Sequence, residues 1–271
     1  MFVRLALGAA VLVPFALARK LRFPAGWRTW LHLAVAALFA NAIPYLLFGV
    51  GEQTVGSNVA GVLNATTPLW TVVFAVMART ERDLTGRRGA GLVLGLVGTV
   101  LIFSPWNSAG EIASRGGMAC LAAAASYGVS YVYMGRFLAG KGIPPIMLSA
   151  SQLAVATAWL AVAMPVSGLQ PIHWRPEAVA GLLTLGALGT GAAYVLNYRL
   201  ITDAGPTAAS TVTYLLPMVA VALGWIALRE PVTVGMATGM ILVLAGVALA
   251  QRRASRRDTP AAVGQATTGD P

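Results

Sequence analysis

From residue 2 to residue 250 the chain is an almost unbroken succession of apolar stretches, each about as long as a bilayer core is thick. A membrane-spanning α-helix needs about 20 such residues. The stretches fall near 2–18, 30–49, 55–78, 87–103, 114–137, 146–166, 178–198, 207–228 and 233–250. In hydrocarbon every backbone N–H and C=O must find its partner within the protein, which leaves helices and closed barrels as spanning structures. The runs are continuous rather than alternating, so a barrel is excluded. The expected fold class is all-α and integral to the membrane, with about nine transmembrane helices. Composition agrees, since charged residues are 10% of the chain against roughly 25% in soluble domains. The connections are short and leave no room for a soluble domain.

The charges that remain set an orientation. A net charge of +10 is spread between apolar blocks rather than gathered on one face, so no nucleic acid is expected as a partner. Alternate loops hold Arg19, Lys20, Arg22, Arg28, Arg79, Arg82, Arg87, Arg88, Arg136, Lys141, Arg199, Arg252, Arg253, Arg256 and Arg257 on one side. The other side holds Arg4, Arg115, Arg175 and Arg229. By the positive-inside rule the C-terminus is cytoplasmic and residue 1 lies outside. Residues 2–18 resemble a secretory signal, but Arg19 and Lys20 follow at once, and a retained membrane helix is expected. The basic tail 251–271 is expected to be disordered and cytoplasmic.

The chain also repeats itself. An offset of 149 residues brings Gly56 onto Gly205, Ala60 onto Ala209, Tyr45 onto Tyr194, Pro68 onto Pro217 and Glu81 onto Glu230. An offset of 148 then brings Thr85 onto Thr233, Gly91 onto Gly239 and Gly98 onto Gly246. The expected domains are a first repeat of four helices over 1–103 and a second of five over 114–250. The charge count puts Glu81 and Glu230 on opposite sides, so the repeats are inverted, as in many secondary transporters. The counterpart of the 114–137 helix would precede residue 1, making this a ten-helix inverted-repeat fold that lacks its first helix.

The pattern Pro68, Glu81, Gly98, repeated as Pro217, Glu230, Gly246, resembles the EamA domains of the drug/metabolite transporter (DMT) superfamily. Arg4 heading the first span and the basic C-terminus resemble that group too. The resemblance covers nearly all of residues 2–250. It implies a ten-helix inner-membrane permease, commonly an exporter of amino acids or other small metabolites.

Charged groups at bilayer depth default to functional roles, yet every Asp, Glu, His, Lys and Arg is read at a span end, in a loop or in the tail. There is no His/Cys cluster for a metal, no hydrolase triad and no phosphate-cradling glycine loop. Neither an enzyme nor an ATP-driven pump is expected, and no cofactor. What lies at depth is uncharged and polar. The candidate substrate-binding residues are Asn41, Tyr45, Asn64, Ser126, Tyr127, Tyr194 and Tyr214. Amides offer more donors and acceptors than a neighbouring helix readily satisfies, whereas membrane Ser and Thr ordinarily bond helix backbone. Pro44, Pro68 and Pro217 are expected kinks, the last two freeing carbonyls near Asn64 and Thr213 for ligand or water. The spans 87–103 and 233–250, with Gly91, Gly95, Gly98, Gly239 and Gly246, read as close-packed scaffold. Glu81 and Glu230 read as helix-terminal residues.

The function expected is secondary transport of a small neutral or zwitterionic metabolite, such as an amino acid, by alternating access at the cell inner (plasma) membrane. The partners are that metabolite and the lipid bilayer, with a homodimer as the oligomeric option. The alternative is a non-transporting membrane partner that has lost its first helix.

Overall fold

The computed structural model describes residues 2–80, 85–167, 176–229 and 231–251. Among them there are helices and no strands. The long helices are α1 (Phe2–Ala18), α2 (Trp27–Gly51), α3 (Ser57–Met77), α4 (Gly86–Phe103), α5 (Arg115–Phe137) and α6 (Pro145–Ser167). They continue as α7 (176–204), α8 (206–228) and α9 (Val234–Gln251). Seven are long and apolar enough to cross a bilayer; α1, with 17 residues, is shorter. α5 has 23 residues, but glycine, alanine and serine dilute its apolar content. Its Cys120, Ala123, Ala124, Ser126, Gly128 and Ser130 are buried against other helices, so it needs less lipid-facing hydrocarbon than its neighbours. Glu81, Glu230 and the tail 252–271 lie outside the described residues.

Helix ends follow local chemistry. Thr85 accepts a hydrogen bond from the backbone N–H of Arg88, and Ser114 one from Gly117, each satisfying a first-turn donor. Gly205, at φ +89°, turns the chain between α7 and Pro206, the first residue of α8.

Burial is inverted relative to a protein that faces water. Val93, Val97, Leu188, Val219, Ile241 and Leu244 are exposed on the outer faces, a continuous apolar surface that suits lipid. Inside, Leu5 and Leu12 of α1 pack with Leu153 and Leu160 of α6. Leu33, Met134, Leu148 and Tyr198 join α2, α5, α6 and α7.

The most extensive helix pair is α4 with α9. A β-carbon at Gly91 would lie 2.6 Å from the Gly246 carbonyl oxygen, and one at Gly98 the same distance from that of Gly239. The pair therefore runs antiparallel, with backbones touching where side chains are missing. Gly91 and Gly239 are partners at the 148-residue offset, as are Gly98 and Gly246, and each meets the other pair's member across the seam.

Four long helices depart from α geometry. A π-helical segment occupies Leu38–Ala42 in α2 and another Ala187–Ala192 in α7. Their starts are 149 residues apart. The α ladder of α3 breaks between Asn64 and Thr67, and α8 tightens to a 3-10 turn over Thr211–Leu215. Pro44, Pro68 and Pro217 each stand just beyond one of these irregularities, as a residue without an N–H and with fixed φ must.

Candidate substrate-binding cavity

The irregular stretches surround a cavity of about 400 Å³. Its wall draws on α1, α2 and α3 from the first half and on α5, α7 and α8 from the second, while α4 and α9 take no part. Tyr45 and Tyr194 line it, as do Asn64 and Thr213, and each pair is related by the 149-residue offset. Tyr127 faces the same space from α5. Leu196, Val212 and Leu216 of α7 and α8 are lining residues that are also exposed, so the cavity opens between those helices.

The polar groups differ in how they are engaged. Asn41 is fully buried behind the wall. Its Nδ2 donates to the Tyr194 hydroxyl at 2.6 Å, and its Oδ1 accepts from Gln152 Nε2 at 3.4 Å. Tyr194 in turn points its hydroxyl toward the Ala40 carbonyl at 3.5 Å. The Tyr198 hydroxyl donates to Gln152 Oε1. This chain of amides and phenols ties α2 to α6 and α7 and presents Tyr194 to the cavity. By contrast, Tyr45, Tyr127 and Asn197 have no side-chain hydrogen-bond partner among the described residues, and Asn64 has only a 3.5 Å contact from Thr67. Uncommitted donors and acceptors at bilayer depth are tolerated where the site is wet.

Two sequence candidates stand elsewhere. Ser126 donates to the Phe39 carbonyl at 2.8 Å and thereby satisfies backbone in the π segment of α2. Tyr214 is fully buried, with its ring against Gly95 and its hydroxyl donating to the Leu92 carbonyl at 2.9 Å. The 3-10 turn rotates it toward α4 and away from the cavity. The carbonyls expected to be open near the prolines are also occupied. That of Asn64 accepts from Thr67 Oγ1 at 2.7 Å, and that of Thr213 from the Leu216 N–H.

The wall also holds a charge that the sequence reading placed at a span end. Arg4 lines the cavity, and its Nε donates to Thr190 Oγ1 at 2.7 Å. Thr190, in the π segment of α7, is the repeat partner of Asn41. Among the described residues no group of three or more His, Cys, Asp or Glu is placed to hold a metal.

The comparisons with known proteins point the same way. The sequence model of the EamA-like transporter family matches residues 1–104 and again 114–251. The uncharacterized transporter YvbV of Bacillus subtilis (strain 168) is 26% identical over 270 residues, covering 97% of this chain and 84% of that protein. The uncharacterized transporter YoaV of the same strain is 29% identical, covering 76% of this chain and 70% of its own. The uncharacterized inner membrane transporter YedA of Escherichia coli (strain K12) is 29% identical, covering 82% and 71%. A solved crystal structure superposes with a TM-score of 0.77 at 21% identity, over 92% of this chain and 86% of that one, and so shares the fold. With a match that takes in both halves, this chain belongs to the EamA-like transporter family.

Proposed function

We propose that the protein is a secondary permease of the inner membrane, C-terminus cytoplasmic, that carries a small neutral or zwitterionic metabolite such as an amino acid. Its two inverted halves rock about the cavity in alternating access. One observation carries this reading: repeat partners from the two halves, Tyr45 with Tyr194 and Asn64 with Thr213, face a single space. A volume of about 400 Å³ accommodates a molecule of amino-acid size with some water. Tyrosine rings suit apolar or cationic parts of a substrate, and free amides suit its polar ends. The described lining residues include no Asp or Glu, so the transport mode proposed is uniport or exchange.

The test is comparative metabolite efflux from cells expressing the full chain, the Asn64→Leu variant, or neither. Wild type is expected to release a defined set of metabolites that Asn64→Leu retains, with similar amounts of both proteins in the membrane. Equal efflux from all three strains overturns the permease reading and favours a non-transporting partner. Everted vesicles in which flux stops when the proton gradient is collapsed would overturn the uniport or exchange mode alone.

A further inference from the structure

Arg4 is the one charged side chain among the described residues that line the cavity. Its position is deep. A β-carbon at Gly186 would meet the Arg4 carbonyl oxygen at 3.3 Å, so the first turn of α1 stands beside the middle of α7. A cation held at such depth is costly and is retained for a partner. Among the described residues no carboxylate is that partner; its side-chain hydrogen bond is the one from Nε to Thr190. The Thr190 hydroxyl is itself fixed, since it donates to the Leu185 carbonyl at 3.0 Å in the π segment. Thr190 therefore holds one edge of the guanidinium and leaves the two terminal nitrogens uncommitted.

We infer that the cavity selects for a single carboxylate, with Arg4 as its anchor and Thr190 as the residue that aims the anchor. A free guanidinium fork matches two coplanar oxygens at one centre. One positive charge balances a monoanion, whereas a phosphate monoester would bring about two negative charges and leave one unmatched. Tyr45, Tyr127, Met134 and Leu200 then surround the body of the ligand. No acidic side chain among the described lining residues demands an ammonium, so monocarboxylates without an amine fit as well as amino acids do. This inference rests on the cavity being the substrate site proposed above, but it concerns binding and is read without flux.

The experiment uses the purified full chain in lipid nanodiscs and three probes on one carbon skeleton: 3-phenylpropionate, 3-phenylpropionamide and 3-phenylpropylamine. Thermal unfolding is followed with a thiol-reactive fluorophore, because Cys120 is the single cysteine and is buried. The carboxylate is expected to raise the unfolding midpoint and to bind roughly tenfold or more tightly than the amide, with the amine weakest. Arg4→Gln should erase that ratio, and Arg4→Lys should keep part of it. Thr190→Val should lower the ratio, which is read within each variant and so is independent of any fall in its ligand-free midpoint, and Thr190→Ser should restore it. Wild-type protein that binds the amide or amine as well as the acid, or that binds none, overturns the inference however the variants fold. Selective acid binding in a protein whose cells release nothing keeps the anchor and removes the permease reading. Efflux confined to compounds without a carboxylate keeps the permease and removes the anchor.

Discussion

Replacing Gly98 by alanine measures how closely α4 and α9 are seated. The new methyl would lie 2.6 Å from the Gly239 carbonyl oxygen, 2.7 Å from the Val243 nitrogen and 2.9 Å from Val243 Cγ2. Ordinary contact begins at 3.4 Å, so α9 must withdraw by about 0.8 Å to admit it. Two of the three obstacles are helix backbone, which no rotamer change relieves. Overpacking costs about 1–3 kcal/mol, and the gain in helix propensity offsets about 0.5–1 kcal/mol of it. A net loss of about 1–2 kcal/mol corresponds to a midpoint lowered by roughly 2–8 °C for a chain of this size. Unfolding in detergent, followed through the buried thiol of Cys120, reads that change. Gly49→Ala is the control, because nothing lies within 4 Å of its β-carbon position; its midpoint should hold or rise slightly. Gly91→Ala makes the same demand on the same seam, at 2.6 Å from the Gly246 oxygen. One withdrawal of α9 accommodates both methyls, so the double variant should lose less than the two single losses combined. Gly98→Ala as stable as Gly49→Ala, or strictly additive losses, would refute the antiparallel backbone contact.

Three further outcomes separate the tyrosines and fix the topology. Tyr214→Phe should lower stability by about 1 kcal/mol through its lost bond to Leu92 while leaving efflux unchanged. Tyr194→Phe, which takes the 2.6 Å partner from the fully buried Asn41 amide, should lower stability by about 1–3 kcal/mol and, unlike Tyr214→Phe, should also cut efflux roughly tenfold. Compartment reporters fused after Thr80 and after Arg229 should report opposite sides of the membrane. The same side for both contradicts inverted insertion.

The fold was legible because hydrocarbon leaves a chain few options: a long apolar run must be helical, and its boundaries are marked by charge, proline and glycine. Glycines at matching offsets also marked α4 and α9 before their seam was seen. The cavity was legible where polarity and depth coincide, as at Tyr45, Asn64, Tyr127 and Tyr194. It was not legible where local geometry turns a side chain. No pattern announces the 3-10 turn that swings Tyr214 onto Leu92, or the unpaired carbonyl that Ser126 satisfies. Asn41 was placed at the right depth but serves Tyr194 from behind. Arg4 was missed although a signal existed. Fifteen residues separate it from Arg19, about 22 Å of helix, which is shorter than the bilayer core of about 30 Å. With Arg19 at one surface, Arg4 must sit below the other.

The π segments at Leu38–Ala42 and Ala187–Ala192 each insert a surplus residue into the helix that carries it. A surplus of this kind is a joint: bond pairing there is already irregular, so the rod can flex at that point without tearing regular ladder elsewhere. Asn41 and Thr190 ride on these joints. Each therefore couples the bend of its own helix to the pose of a side chain in the opposite half, Tyr194 in one case and Arg4 in the other.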